Sequence, residues 1–423
     1  MPEKPLSVLH LSTWDMKGGA ARGAYWLHKG LQQAGIHSKM LVAEKQSDDA
    51  SVLGADRHIP LFVNKFRQFM DNLPVQMQYP DRSHQFSPAW FPSAMPKQIE
   101  AIAPDIVHLH WVCAGLLTPE AIARIQQPIV WTLRDMWAFT GGCHYALDCK
   151  KYQKSCGACP DLDSPKERDL SRWVWQRKHK AWEKANFTIV AISEWLADCA
   201  RNSSLFYNKR IEVIHNALDE SIFKPVPKAV ARQVFNLPRD RKIILFGAFN
   251  AIHNPVKGFD YLQQALQKLA LTDLASTAML VIFGSGTPQN PPNLGLPARY
   301  MGRIQDDYAL AVLYSAADVM VVPSVQEAFG KTAMEALACG TPVVSFDATG
   351  LKSIVEHQKT GYRAKCFDVE DLANGITWVL QDELRWHQLS ARSRQKVEEE
   401  FTLKKQAENY IRLYEESIKK SKL

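Results

Sequence analysis

Long apolar runs are missing from this sequence of 423 residues. No stretch approaches the roughly 18 consecutive apolar residues that cross a bilayer, and the first residues lack the apolar core of a signal peptide. A cytoplasmic location is therefore expected. Residues 172–182 mix tryptophans with cations, which is typical of a domain helix with its tryptophans inward. The same mixture would also suit peripheral contact with the inner face of a membrane.

Neither sign of charge dominates the composition. The formal net charge is +7, and 22% of the residues are charged. This moderate basic excess fits anionic lipid, phosphorylated substrates or nucleic acid, and it does not choose among them. Together with a hydrophobic content of 46%, it is normal for a soluble globular protein.

Cysteine is scarce, with eight in the chain. Four stand singly in apolar or helical contexts and are interpreted as reduced buried thiols: Cys113, Cys199, Cys339 and Cys366. The others cluster within residues 143–159: Cys143, Cys149, Cys156 and Cys159. The final Cys-x2-Cys is a common zinc half-site, but the wide spacing of the first pair leaves disulfides or free thiols equally open. Zinc held by all four thiolates would be structural, because a fully coordinated metal has no open position for catalysis.

The length and the alternation of elements indicate two α/β domains. The chain is too long for one ordinary core, and apolar strands alternate with helical segments in both halves. Two prolines at 225 and 227 mark a linker. We expect domains at residues 1–225 and 226–400, followed by an amphipathic helix at 401–423.

The segment 326–344 is the most informative part of the chain. It follows an apolar, β-branched run at 318–323 that predicts a buried parallel strand. A helix is predicted at 331–338 and a second strand after it, and ligands bind beyond the carboxyl ends of the strands in such units. Glu327 is expected in the loop and Glu335 about two turns into the helix. One carboxylate near phosphates and one further along the ligand suggest a nucleotide-linked polyol.

The N-terminal part opens in a similar way. Residues 7–12 predict a buried strand, residues 15–21 a loop with a Gly-Gly turn, and residues 22–35 a helix. Glycines at a helix N-terminus let a ligand or another loop approach the backbone closely.

The two glutamates, the Phe-Gly pair after the first and the Ala-Cys-Gly-Thr-Pro-Val-Val tail at 338–344 resemble the Glu-x7-Glu signature of the retaining glycosyltransferases of family 4. The resemblance covers nearly the whole chain. It implies the GT-B fold, with two doubly wound Rossmann-like domains facing across a cleft and a C-terminal helix crossing back to the first. Residues 131–137 and 140–143, with the cysteine cluster, are most similar to the colanic acid (WcaC-like) type.

The resemblance also implies roles for single residues. Glu327 would contact the transferred sugar and Glu335 the ribose of the nucleotide, while Lys257 would meet the diphosphate. The backbone amides that should hold the same diphosphate are those of Gly330, Lys331 and Thr332, with Gly19 approaching from the facing domain. The implied co-substrate is a UDP- or GDP-sugar, and no cofactor is required for catalysis.

Two departures from the family pattern affect the site. Ala248 stands where an arginine is common, so either Lys257 acts with another cation, such as Arg303, or the donor phosphates are held differently. Arg134 replaces a usual histidine. It cannot serve as a base, but it can stabilise phosphate or orient the sugar, and we count it with the catalytic residues. His110 ends a strand and is a candidate contact on the acceptor side, although strand histidines are more often structural.

The leading hypothesis is a transferase that moves a sugar from a nucleotide donor to a saccharide or lipid-linked saccharide, in the assembly of exopolysaccharide, capsule or lipopolysaccharide. A nucleotide-sugar epimerase or a phosphorylase on the same fold is the second enzyme hypothesis. A catalytically silent transferase-like partner is a third. A zinc-containing nucleic-acid-binding protein would explain the cysteines and the charge, but not the two glutamates or the duplicated sheets, so nucleic acid is not expected as a partner.

Overall fold

The computed structural model describes residues 6–54, 61–80, 84–92, 95–247, 250 and 252–421. Contacts divide the chain into two compact units. Unit 1 consists of Met1–Asn216 with Leu403–Leu423, and unit 2 of Ala217–Thr402.

The strands and helices alternate along the whole chain. Up to Asn216 they are β1 Ser7–Trp14, α1 Gly18–Gln33, β2 His37–Glu44, β3 Val52–Gly54, α2 Leu61–Gln78, α3 Met95–Ile102, β4 Ile106–Leu109, α4 Pro119–Ala123, β5 Ile129–Leu133, α5 Leu170–Trp182, β6 Phe187–Ala191, α6 Glu194–Arg201 and β7 Arg210–Val213. The remainder are α7 Lys228–Val234, β8 Lys242–Gly247, α8 Phe259–Leu269, α9 Leu274–Thr277, β9 Ala278–Phe283, β10 Ala298–Tyr300, α10 Asp307–Ala316, β11 Val319–Val322, α11 Lys331–Ala338, β12 Val343–Phe346, β13 Gly361–Ala364, α12 Val369–Leu380, α13 Glu383–Glu400 and α14 Leu403–Ser421.

Each unit is built on one parallel sheet. Unit 1 has seven strands in the order β3-β2-β1-β4-β5-β6-β7, and unit 2 has six in the order β10-β9-β8-β11-β12-β13. Every strand pair named for the two sheets is parallel. Central strands such as β5 and β11 are buried along their whole length, as expected of sheets covered on both faces. The predicted doubly wound α/β class is confirmed.

The last helix, α14, completes the core of unit 1. It packs on α1, where a Cβ atom at Gly30 would lie 3.1 Å from the carbonyl oxygen of Leu403. Its buried Tyr410 and Tyr414 join the apolar cluster that includes Val8 and Leu27. None of the described helices is long and apolar enough to cross a bilayer.

The unit boundaries differ from the predicted domain limits at 225 and 400. The segment after Asn216 belongs to unit 2 because the N–H of Leu218 donates to the carbonyl of Phe401 at 3.0 Å. In addition, the guanidinium of Arg394 donates to the carbonyl of Phe223 at 2.7 Å. The chain therefore passes to unit 2 before the prolines that suggested a linker.

Helix α1 begins at Gly18, earlier than the predicted start at residue 22. Ala21 and Ala24 are buried in it, and this packing outweighs the low helix propensity of the two glycines. Gly19 consequently lies in the first turn of the helix and not in a loop.

Candidate functional site

The topology of unit 2 brings two predicted site residues together. Its strand order reverses between β8 and β11, and ligands of doubly wound sheets bind beyond the carboxyl ends of the strands at such a point. The loop after β8 carries Lys257, and the loop after β11 carries Glu327.

These two side chains form an ion pair. The ammonium of Lys257 donates to Oε1 of Glu327 at 2.5 Å, and the two side chains are 18% and 17% exposed. The hydroxyl of Ser324 donates to the same oxygen at 3.2 Å. The backbone N–H of Glu327 is held by the hydroxyl of Thr349 at 3.1 Å. The pair is thus fixed from several sides and still reached by solvent.

The position of Lys257 follows from local backbone chemistry. Asn254 caps the short 3-10 helix Pro255–Lys257 by accepting from the N–H of Val256 at 3.1 Å. Gly258 follows in the left-handed region at φ 70°, and a Cβ atom there would collide with the carbonyl oxygen of Pro323. This loop therefore lies directly against the end of β11.

The N-terminus of α11 follows Glu327 in sequence and has the features of a helix end that binds anions. Gly330, at φ 108°, is the N-cap, and no side chain caps the helix. Lys331 and Thr332 are its first two residues and are half-buried. The first turn contains no acidic residue, so the positive end of the helix dipole is not neutralised locally.

Glu335 lies one turn into α11, because the helix begins at Lys331; the predicted two turns are wrong. Its carboxylate is 2% exposed and forms an ion pair with Lys331. The hydroxyl of Tyr314, on α10, donates to its Oε2 at 2.8 Å. Glu335 is accordingly held in one position by a cation and a buried hydroxyl.

Two other residues of unit 2 contribute less to this picture. Arg303 is exposed in the segment after β10, and its part in the site stays a prediction. Ala248, which replaces a usual arginine, lies outside the described residues.

In unit 1 the corresponding reversal lies between β1 and β4. Gly19 is exposed in the first turn of α1, which follows β1. His110 and Arg134 follow β4 and β5, and both are buried. The guanidinium of Arg134 donates to Oδ1 of Asn216 at 2.5 Å and lies 3.2 Å from Nδ1 of His110.

A cluster of buried histidines surrounds His110. Its Nε2 is 2.9 Å from Nδ1 of His10, and among the described residues these two with His108 are the one group whose candidate metal-ligand atoms lie within 4.8 Å of one another. His108 bonds Tyr414 Oη at 2.6 Å and Thr132 Oγ1 at 2.7 Å. Burial lowers the pKa of all three imidazoles well below the usual value. We interpret the group as neutral and hydrogen-bonded.

The four clustered cysteines line one apolar cavity of about 20 Å³ in unit 1. Their sulfurs do not form a group within 4.8 Å of one another in the described part of the chain. Burial raises the pKa of Cys156 to about 12 and that of Cys159 to about 11. Without a metal the side chains of Cys156 and Cys159 are therefore neutral thiols at pH 7.

Lys178 of α5 lies beside this cluster and is fully buried. The predicted arrangement of α5, with tryptophans inward and cations outward, is wrong at two positions, because Lys178 is buried and Trp173 is 42% exposed. The ammonium of Lys178 donates to the carbonyls of Trp137 and Thr140, the second at 3.0 Å. Burial lowers its pKa from 10.5 to about 7.

We expect this lysine to make stability rise with pH. Between pH 7 and 10.5 the unfolded chain binds a proton that the folded chain lacks. The free energy of unfolding therefore increases by up to about 1.4 kcal/mol for each unit by which the pH rises in this range, and this gain disappears as the pH falls toward 7. Urea unfolding of the wild type and of Lys178→Met at about pH 7 and about pH 8.5 measures the difference, because the thiols, which begin to ionise in the unfolded chain at about pH 8.5, affect both proteins equally. Lys180→Met, on the exposed side of α5, is the control, and equal slopes for the wild type and Lys178→Met would contradict the expectation.

Several residues of the site were not predicted. Tyr314 and Ser324 lie in segments whose apolar pattern indicates core, and only their neighbours in space reveal a polar role. The contact between Arg134 and Asn216 joins residues far apart in sequence, for which a single sequence carries no signal.

Two family models match the chain, one in each half. The family described as Glycosyltransferase Family 4 matches residues 17–222, and the family described as Glycosyl transferases group 1 matches residues 240–382.

Among curated proteins, the chain is similar to D-inositol 3-phosphate glycosyltransferases. It is 34% identical over 181 residues to that of Mycobacteroides abscessus, covering 40% of this chain and 39% of the relative. It is 31% identical over 290 residues to that of Mycolicibacterium smegmatis, covering 66% of this chain and 60% of the relative. The chain thus spans less than two thirds of the length of either relative.

Solved structures resemble the chain over almost its whole length. Sucrose-phosphate synthase from Thermosynechococcus elongatus has a TM-score of 0.69 at 22% identity, covering 97% of this chain and 98% of that one. HepE from Anabaena in complex with UDP and glucose has a TM-score of 0.65 at 16% identity, covering 96% and 99%. The catalytic domain of starch synthase IV from Arabidopsis thaliana, bound to ADP and acarbose, has 0.66 at 14%, covering 98% and 100%.

These likenesses confirm the predicted GT-B fold class. The solved structures show the fold, while the family models match a family 4 region in the N-terminal half of the chain and a group 1 region in its C-terminal half.

Proposed function

We propose that the protein is a retaining glycosyltransferase that moves a sugar from a UDP- or GDP-sugar to a saccharide or lipid-linked saccharide. The proposal includes a place in extracellular polysaccharide, capsule or lipopolysaccharide assembly of the WcaC-like type, and a cytoplasmic location with peripheral membrane contact. The observation that carries it is the Lys257–Glu327 pair at the reversal of the unit 2 sheet.

The chemistry of this pair suits sugar transfer. Departure of a nucleoside diphosphate leaves negative charge on the phosphate and develops positive charge at the sugar carbon, and fixed charges stabilise both. Lys257 and the N-terminus of α11 would meet the first, and Glu327 the second. In the absence of a donor the two side chains neutralise each other.

The structural relatives support a nucleotide-sugar donor, because HepE has been solved with UDP-glucose and starch synthase IV with ADP. The curated relatives are named for inositol 3-phosphate, which makes that compound a second acceptor candidate beside a saccharide.

A screen of nucleotide sugars for thermal stabilisation, followed by product analysis with the best donor, tests the proposal. Transfer with retained anomeric configuration supports it. An isomerised donor would indicate an epimerase, and a strict need for inorganic phosphate would indicate a phosphorylase. Absence of donor binding, together with salt-dependent binding of nucleic acid, would reject the proposal.

Tyr314→Phe is expected to weaken the binding of the nucleoside diphosphate by about tenfold and to change kcat little. The substitution removes the hydroxyl that holds Glu335, and loss of one such bond costs about 1–2 kcal/mol. Calorimetric titration with the diphosphate and steady-state kinetics measure the two effects. Tyr308→Phe, at an exposed position of the same helix, is the matched control, and an equal effect of both would contradict the role of Tyr314.

We also propose structural zinc at the cysteine cluster. The supporting observation is that all four side chains line one cavity, and zinc would bind cysteines there as thiolates. Metal analysis of protein purified under reducing conditions should find about one zinc per chain. The content should fall in Cys156→Ser and not in Cys366→Ser, which changes an exposed thiol. Protein that is folded and free of metal would overturn this proposal.

A further inference from the structure

Arg134 is an arginine whose charge is buried and incompletely bonded. It is 8% exposed at the carboxyl end of β5, and among the described residues its terminal nitrogens reach only Asn216 and His110. Its Nε is buried without a hydrogen-bond partner in the described part of the structure. A guanidinium carries five N–H donors, so most of its donor capacity is unused by these contacts.

No carboxylate compensates this charge among the residues that the structure describes. The imidazole in contact with it is neutral, since burial first, and then His108 and Arg134, lower the pKa of His110 well below its usual value. Burial lowers the pKa of Arg134 to about 10, so the guanidinium remains charged at pH 7. A buried, unpaired charge is costly, and proteins keep such groups at functional sites.

A small recess lies at this charge. It measures about 10 Å³, and its lining includes Arg134, His110 and Asp135. Asp135 is already satisfied, because its carboxylate accepts from Trp111 Nε1 at 2.7 Å and from the N–H of Trp137 at 2.9 Å, and it pairs with His144 at 2.6 Å. The recess has room for about one water-sized atom, such as one oxygen of a carboxylate or phosphate.

We propose that Arg134 recognises an anionic group, a carboxylate or a phosphate ester, on one of the two sugars that the enzyme joins. This inference rests on the proposed function and names the chemical class of its substrate. In the proposed function the diphosphate of the donor is met in unit 2 by Lys257 and the N-terminus of α11, so Arg134 would serve a further negative charge. Guanidinium binds such groups through paired N–H donors.

Matched pairs of ligands test the proposal by calorimetric titration of the full chain at low salt. UDP-glucuronate against UDP-glucose tests a charge on the donor sugar. D-glucuronate and D-glucose 6-phosphate against D-glucose test a charge on the acceptor. In one of these two comparisons, donor or acceptor, the anionic sugar should bind at least about tenfold more tightly than the neutral sugar. The preference for the anionic member should vanish in Arg134→Gln and persist in part in Arg134→Lys.

The alternative is that Arg134 has only a structural role and holds Asn216 against the end of β5. If Arg134 is an unpaired buried charge, the melting temperature of Arg134→Gln should be unchanged or higher than that of the wild type. If its role is structural, the melting temperatures of Arg134→Gln and Arg134→Lys should both fall. A large fall in both, equal affinities throughout all pairs, or a preference that survives in Arg134→Gln would overturn the proposal.

Failure of the proposed function gives a different result. If no nucleotide sugar binds, but sugar acids still distinguish the wild type from Arg134→Gln, the anion site stands and sugar transfer does not. If UDP-glucose is used as a donor with no anionic preference in any pair, transfer stands and the anion site fails.

Discussion

Glu327→Gln is expected to reduce sugar transfer by about 1000-fold, the upper range for removal of one preorganised charged or polar group from a catalytic site. The carboxylate would stabilise positive charge at the sugar carbon, and the amide cannot supply that charge. Lys257→Ala should have a comparable effect, because it removes the cation opposite the departing diphosphate. Initial rates with the donor found by the nucleotide-sugar screen, at saturating acceptor, measure both variants.

The matched control for this pair is the exposed ion pair of Lys268 and Glu370, whose side chains are 48% and 64% exposed. Glu370→Gln removes a carboxylate from the same unit and should change neither rate nor stability measurably, since exposed pairs contribute about 0–1 kcal/mol. Transfer by Glu327→Gln at the wild-type rate, with the fold intact, would exclude the catalytic role.

Gly258→Ala is expected to lower the free energy of unfolding by about 3 kcal/mol, through backbone strain and overpacking. The glycine has a φ of 70°, and an added methyl group would meet the carbonyl oxygen of Pro323. The loop after β8 must then move away from β11, which separates Lys257 from Glu327. Urea unfolding and donor titration should show loss of stability and loss of affinity together.

Gly302→Ala separates the two causes. Gly302 has a similar φ of 66°, but no atom of the described residues lies within 4 Å of an added Cβ, so its substitution carries the backbone strain alone, about 1–2 kcal/mol. Equal losses in both variants would show that the contact with Pro323 does not position Lys257.

The fold was predictable because its strands are continuous apolar runs. Residues 7–12 were expected as a strand and lie within β1 Ser7–Trp14, and Ser193 caps α6 as its type suggests. Short edge strands such as β3 and β10 escaped prediction, since three residues give no measurable period.

The proximity of Lys257 and Glu327 was predictable, because the motif places them on loops after neighbouring strands. The site was not predictable where burial decides the role. His108 ends in the core of unit 1, bonded to Tyr414, which is 306 positions away in the chain. Lys178 is a cation in an aromatic interior, contrary to the ordinary preference of lysine for solvent.

The way in which α14 completes unit 1 has a consequence for biosynthesis. Tyr410 and Tyr414 bond to Thr132 and His108 in the middle of the first sheet, so that sheet lacks part of its cover until residues 403–421 have left the ribosome. Unit 2 is encoded without interruption and can close earlier, so the half of the protein that is translated first is expected to be finished last.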